Sequence, residues 1–209
     1  MIHLIEGLIA SSLHVLSGPD HLAAVTPIAI ESRSKSWSIG LFWGLGHTAG
    51  VLLIGVLFML FREVIPVEKI SEYSEQIVGI VLVAIGVWAL LKLKNGIKKH
   101  HHNNSQKRNI VAALSVGILH GFAGVSHLIG VIPTLSLPET IDSVMYLAGF
   151  GIGTIFTMMV FSWILGTVAQ NLSVKKKTKL FKYFRIFGGS VAIIIGILWF
   201  CGVFTNPVH

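Results

Sequence analysis

From position 36 to position 61 the chain runs SWSIGLFWGLGHTAGVLLIGVLFMLF without one Asp, Glu, Lys or Arg. As a helix, such a run crosses a ~30 Å hydrocarbon core with residues to spare. Further apolar stretches lie at 76–91, 110–133, 143–169 and 186–204, and the N-terminal stretch 2–30 carries just two acids, Glu6 and Asp20. Charged residues make up 12% of the 209, about half the share usual in soluble domains. The pattern predicts an all-α integral membrane protein of six transmembrane helices forming one membrane domain. The N-terminal stretch has no basic leader and carries Glu6 in its first apolar turns, so we expect a mature helix rather than a cleaved signal.

The net charge of +7 invites a nucleic-acid partner, but its distribution argues against one. Loop one holds Arg33 and Lys35. Loop three holds Lys92, Lys94, Lys98, Lys99, Lys107 and Arg108, and loop five holds Lys175, Lys176, Lys177, Lys179, Lys182 and Arg185. These alternate loops share one side of a six-span chain and carry 14 of the 16 basic residues. The opposite side has Arg62 and Lys69 beside Glu63, Glu68, Glu72 and Glu75. The positive-inside rule then puts loops one, three and five in the cytoplasm and both termini outside a cell (inner) membrane. The lone Cys201 excludes a disulfide framework and a paired-thiol relay, and reads as an apolar filler.

Residues 13–27 read LHVLSGPDHLAAVTP, and residues 119–133 read LHGFAGVSHLIGVIP. At a constant offset of 106, seven positions are identical: Leu13/Leu119, His14/His120, Gly18/Gly124, His21/His127, Leu22/Leu128, Val25/Val131 and Pro27/Pro133. The likeness continues in the second helices, where Gly44, Gly46 and His47 fall against Gly151, Gly153 and Thr154. In the third, Gly79 and Gly86 fall against Gly189 and Gly196. We expect a first three-helix repeat over 1–94, a cytoplasmic His/Lys-rich loop over 95–109 and a second repeat over 110–209. Three being odd, the second copy is inserted upside down, a transporter architecture with its site at the repeat interface near mid-membrane. Ser17-Gly18-Pro19 interrupts the first helix, and an unbroken helix over 2–31 would be ~45 Å long. The first helix of each repeat is therefore expected to kink or break, at Gly18 and Pro19 in one copy and near Gly124 in the other.

His14 and His21, seven apart, share a helical face, and a break between them would bring their rings closer than the ~10 Å of regular geometry. Asp20 adjoins His21. His120 and His127 repeat the pair, with Ser126 in place of Asp20, and His47 lies in the glycine-rich second helix. Inter-helix hydrogen bonding is the ordinary role of one such histidine; five, four of them repeat-related, point to function. Neutral imidazole suits nickel, cobalt, zinc and copper, and a carboxylate offsets the charge of a dication. His3 and Glu6 form a second-tier candidate near the outer surface, alongside the reading that they are interfacial polar residues. His100, His101 and His102 are a loose metal-binding tract or a solvated loop. Gly40, Gly44, Gly46 and Gly50, with Gly149, Gly151 and Gly153, allow close helix packing.

HVLSGPDHLAAV, followed by GLGHTAG, resembles the NicO/NiCoT nickel–cobalt transporter superfamily and its UreH-like branch of small members. That resemblance covers most of the chain and implies metal recognition by Asp20-His21 with His14, and a second signature at Gly46-His47. Five residues, not the superfamily's four, separate His14 from Asp20. LysE-type exporters and thiol-relay proteins share the three-plus-three plan, but the relay needs a cysteine in each half. The reading is a secondary transporter, not an enzyme, that moves nickel or cobalt as substrate rather than cofactor through His14, Asp20, His21, His47, His120 and His127. Its partners are the lipid bilayer and the ion, with no nucleic acid; a homo-oligomer is left open. Two alternatives stand beside it: an intramembrane zinc hydrolase with Asp20 as proton carrier, and a membrane scaffold for metalloenzyme maturation.

Overall fold

The computed structural model describes residues 1–61, 67–94, 102–122, 137, 139–174 and 178–203. Among these there is no strand. The helices are α1 (Ile2–Ser17), α2 (Pro19–Ser32), α3 (Ser36–Phe61), α4 (Val67–Lys94), α5 (His102–Phe122), α6 (Thr140–Val174) and α7 (Thr178–Phe200), with a 3-10 turn over Arg33–Lys35. Four stretches are long and apolar enough to cross a membrane: Pro19–Gly55, Gln76–Leu93, Thr140–Ser173 and Lys179–Phe200. The first comprises α2, the 3-10 turn and most of α3. Arg33, at φ 49°, turns the chain there so that α3 packs back on α2. The fold is that of an all-helical, multi-pass membrane protein. Its surface agrees: Ile5, Leu13, Leu53, Ile80, Phe156, Trp163 and Ile194 face outward, where lipid rather than water is the solvent.

The expected break falls at Gly18, and one boundary differs from the sequence reading. The stretch 2–30 is two helices, divided at Gly18, whose ψ of 100° departs from helical geometry. A residue before proline is pushed out of the α region, and Pro19 then starts α2 at a position that needs no N–H partner. α5 begins at His102, so residues 102–109 of the expected loop are helical. Lys92 and Arg185, counted above as loop residues, lie within α4 and α7; their long stems let basic groups extend from inside a helix. The expected break near Gly124, with Ser126, His127, His100 and His101, lies outside the described residues, as does the side chain of His102.

α2 is the central element. Asp20, His21, Ala23, Ala24, Val25, Pro27, Ile28, Ala29 and Ile30 are all buried, and α3, α4, α5, α6 and α7 all touch it. The main core gathers Val25, Ile28 and Ala29 of α2 with Trp43, Leu82, Ala113, Met158 and Ala192. Around it α1 packs on α6, α3 on α5 and α6, and α4 on α7. Glycines set these approaches. A Cβ at Gly79 would lie 2.6 Å from the Gly196 carbonyl oxygen, and one at Gly196 would lie 2.6 Å from that of Gly79. Gly86 and Gly189 face one another in the same way. Gly46 abuts the Leu114 carbonyl, and Gly153 the Leu8 carbonyl. Any side chain at these positions would drive the helices apart.

Candidate metal centre

Four imidazoles and one carboxylate meet where α1 ends and α2 begins. His14 comes from the last turn of α1 and Asp20 from the first turn of α2. His21 follows it, and His47 and His120 project from α3 and α5. Asp20, His21 and His120 are each 2% exposed and His47 0%; His14 is half-buried. The chain break does what the spacing predicted: the His14 and His21 ring centroids are 5.0 Å apart. His47 lies 5.1 Å from His21 and 6.3 Å from His14. His120 lies 5.1 Å from His21.

Gly18 makes this approach possible. A Cβ there would collide with the Nδ1 of His21 and lie 2.8 Å from its Cε1 and 3.0 Å from Asp20 Oδ1. Asp20 is bound on both sides: His21 Nδ1 is 3.0 Å from Oδ1, and His120 Nε2 is 2.8 Å from Oδ2. The second contact ties two chain segments a hundred residues apart. The carboxylate also occupies the first turn of α2, where the helix dipole favours negative charge.

Two overlapping groups have ligand atoms close enough to share an ion: His14, His21 and His47, and Asp20, His21 and His120. Within each group those atoms lie within 4.8 Å of one another. Nitrogen and oxygen donors without thiolate suit a divalent ion such as nickel, cobalt or zinc. Trp43, which sequence reasoning passed over, closes one wall. Its ring stacks on His47 at 4.9 Å and 7° and lies 5.5 Å from His21 and 5.6 Å from His120. The signal was available, since Trp43 is four residues before His47 and so shares its helical face. Phe150 of α6 stands 6.1 Å from His14. Thr154, at the place of His47 in the sequence repeat, is buried as well.

His3 and Glu6 do not join this cluster. His3 lies eleven residues before His14, ~16 Å of helical rise. Its Nδ1 is 2.8 Å from Glu6 Oε2 and its Nε2 is 3.7 Å from Asp142 Oδ1. Asp142 had no place in the sequence reading. The three groups connect the start of α1 to the start of α6 at a partly exposed position.

The family described as the cytochrome c biogenesis protein transmembrane region matches residues 9–198. The urease accessory protein UreH of Bacillus sp. (strain TB-90) is 32% identical, over 86% of this chain and 82% of its own length. "Chloroplast protein FOR GROWTH AND FERTILITY 2" of Arabidopsis thaliana is 34% identical over 81% of this chain. The chain spans about half the length of that relative, 48%. "Putative nickel/cobalt efflux system MJ1092" of Methanocaldococcus jannaschii is 24% identical over 94% of this chain and 91% of its own. No solved structure matches. The chain belongs to the family that the transmembrane-region description defines, and to the UreH-like branch of the nickel–cobalt transporter superfamily.

Proposed function

We propose that the protein is a secondary transporter that carries a divalent transition-metal cation, nickel or cobalt, across the cell membrane. One observation carries this reading: four imidazoles and a carboxylate from both halves of the sequence converge at a broken helix, all but His14 buried. α1 and α2 rise ~24 and ~21 Å, each short of a ~30 Å core, so a break between them falls near the bilayer's middle. Ionisable groups at that depth are costly and mark ion pathways. A nickel/cobalt efflux relative and a urease accessory relative support a metal-transport or accessory role.

The architecture we infer is a pair of inverted three-helix repeats making six spans. Reciprocal contacts support it. Gly79 meets Gly196 as Gly189 meets Gly86, and Gly44 meets Ile155 as Gly151 meets Thr48. Exchanging the two copies carries each contact into its partner. Alternating access then follows from rocking one repeat against the other. Loops one, three and five face the cytoplasm on the strength of their Lys and Arg.

The test is flux into proteoliposomes across nickel, cobalt, zinc, manganese and iron, with the unsubstituted chain and His21→Ala. Uptake of nickel or cobalt that disappears in His21→Ala, at unchanged elution and melting temperature, is the expected result. Equal flux with and without His21 would discard transport through this site.

A further inference from the structure

We propose that His14, His21 and His47 hold the transported ion, while Asp20 and His120 are positioning residues that fix the His21 ring. This rests on the transport reading and divides the labour within its site.

The two candidate ligand groups share His21, and a neutral imidazole offers one lone pair and one N–H. An ionised carboxylate only accepts hydrogen bonds. The contacts from His21 Nδ1 and His120 Nε2 to Asp20 therefore put the ring protons on those two atoms. The lone pair of His21 is then on Nε2, which is buried, in a ring 5.0 Å from that of His14 and 5.1 Å from that of His47. Metal-bound histidines characteristically donate their other ring N–H to a carboxylate, which fixes tautomer and orientation. Asp20 already stands in that relation to His21. As a ligand it would have to share oxygens that each already accept a bond from a buried ring.

Helix ends favour the same division. His14 lies in the last turn of α1, where the dipole favours a cation, and Asp20 in the first turn of α2, where it favours an anion. The absent side chain at Gly18 leaves the His21 ring room between the two ends. His120 fastens the far oxygen of Asp20 from α5, so the second half of the chain acts on the ion through the carboxylate.

The experiment loads the full chain, in lipid nanodiscs, with Ni²⁺ or Co²⁺ and counts imidazole ligands by X-ray absorption, with affinity from titration. His47→Ala lowers the imidazole count by one. His120→Gln, whose amide still donates to Asp20, keeps the count and binds the ion more tightly than His120→Ala. His120→Ala and Asp20→Asn also keep the count, but weaken binding by about 10- to 100-fold, as loss of an orienting partner does. An imidazole lost in His120→Gln, a carboxylate oxygen lost in Asp20→Asn, or no change in His47→Ala overturns the assignment. Failure of the unsubstituted chain to bind either ion would instead overturn the transport reading itself.

Discussion

Gly18 precedes a proline and faces an imidazole, and the second constraint is the stricter. Its φ of −82° suits any residue; it is the His21 ring, closer than any Cβ tolerates, that requires glycine. Gly18→Ala is therefore expected to push His21 off its place against Asp20. We expect a loss of ion affinity on the order of tenfold or more, the size seen when the support of a metal ligand is removed. Isothermal titration with Ni²⁺ measures it, and wild-type affinity would refute the steric account. Trp43 makes a second case. Trp43→Ala removes a fully buried ring and should cost about 3–5 kcal/mol of stability. Trp43→Phe keeps an aromatic face on His47 and should retain ion binding at a smaller cost. Equal loss of binding in both variants would mean that the indole, not stacking, is needed. The histidines were legible in the sequence because an ionisable residue in an apolar run has few bland explanations. Trp43 was legible only through its spacing from His47, because tryptophan in such a run is ordinary.

At the scale of elements, α2 is fastened at each end by charge. Asp20 and the two histidines hold its start. At its finish Glu31 accepts from Lys92 Nζ of α4 at 2.6 Å and from Arg185 of α7 at 3.0 Å. Arg185 is the more buried of the two cations, and Phe181 lies under its guanidinium at 5.8 Å. Arg185→Ala should therefore be the costlier loss, about 1.5–3 kcal/mol, with Glu31 keeping Lys92 as its partner. Lys92→Ala should cost about 1 kcal/mol or less. Unfolding in mixed micelles compares them, and equal losses would contradict the ranking. The sequence supplied apolar spans but not these ties: Lys92 and Arg185 read as loop charges because periodicity says nothing of how far a helix continues past its apolar face. The break at Gly18 was readable because Ser-Gly-Pro is a local signal. The glycines of α4 and α7 were readable as small residues, whereas their pairing depends on which helices meet.

Across the whole molecule, the distribution of basic residues and the number of spans constrain one another. With six spans the clusters at 33–35, 92–108 and 175–185 share one side. An odd count between any two of them would split the clusters across the membrane, against the bias that orients short loops. The ties at the end of α2 add that Glu31, Lys92 and Arg185 meet in space, as three segments ending on one side must. The proposed inverted arrangement would put the end of α7 on the opposite side from the 3-10 turn, and the chain supplies its own probe there. Cys201 is exposed just past α7, and Ser34, in the turn between α2 and α3, is exposed too. A membrane-impermeant maleimide should label Cys201 on intact cells. In a Cys201→Ser, Ser34→Cys double variant it should label only after the membrane is opened. Labelling of both positions from the same side would require an odd number of crossings between residues 34 and 201 to be replaced by an even one. The two halves could not then be inverted copies, and a site shared symmetrically between them would lose its basis even with every histidine in place.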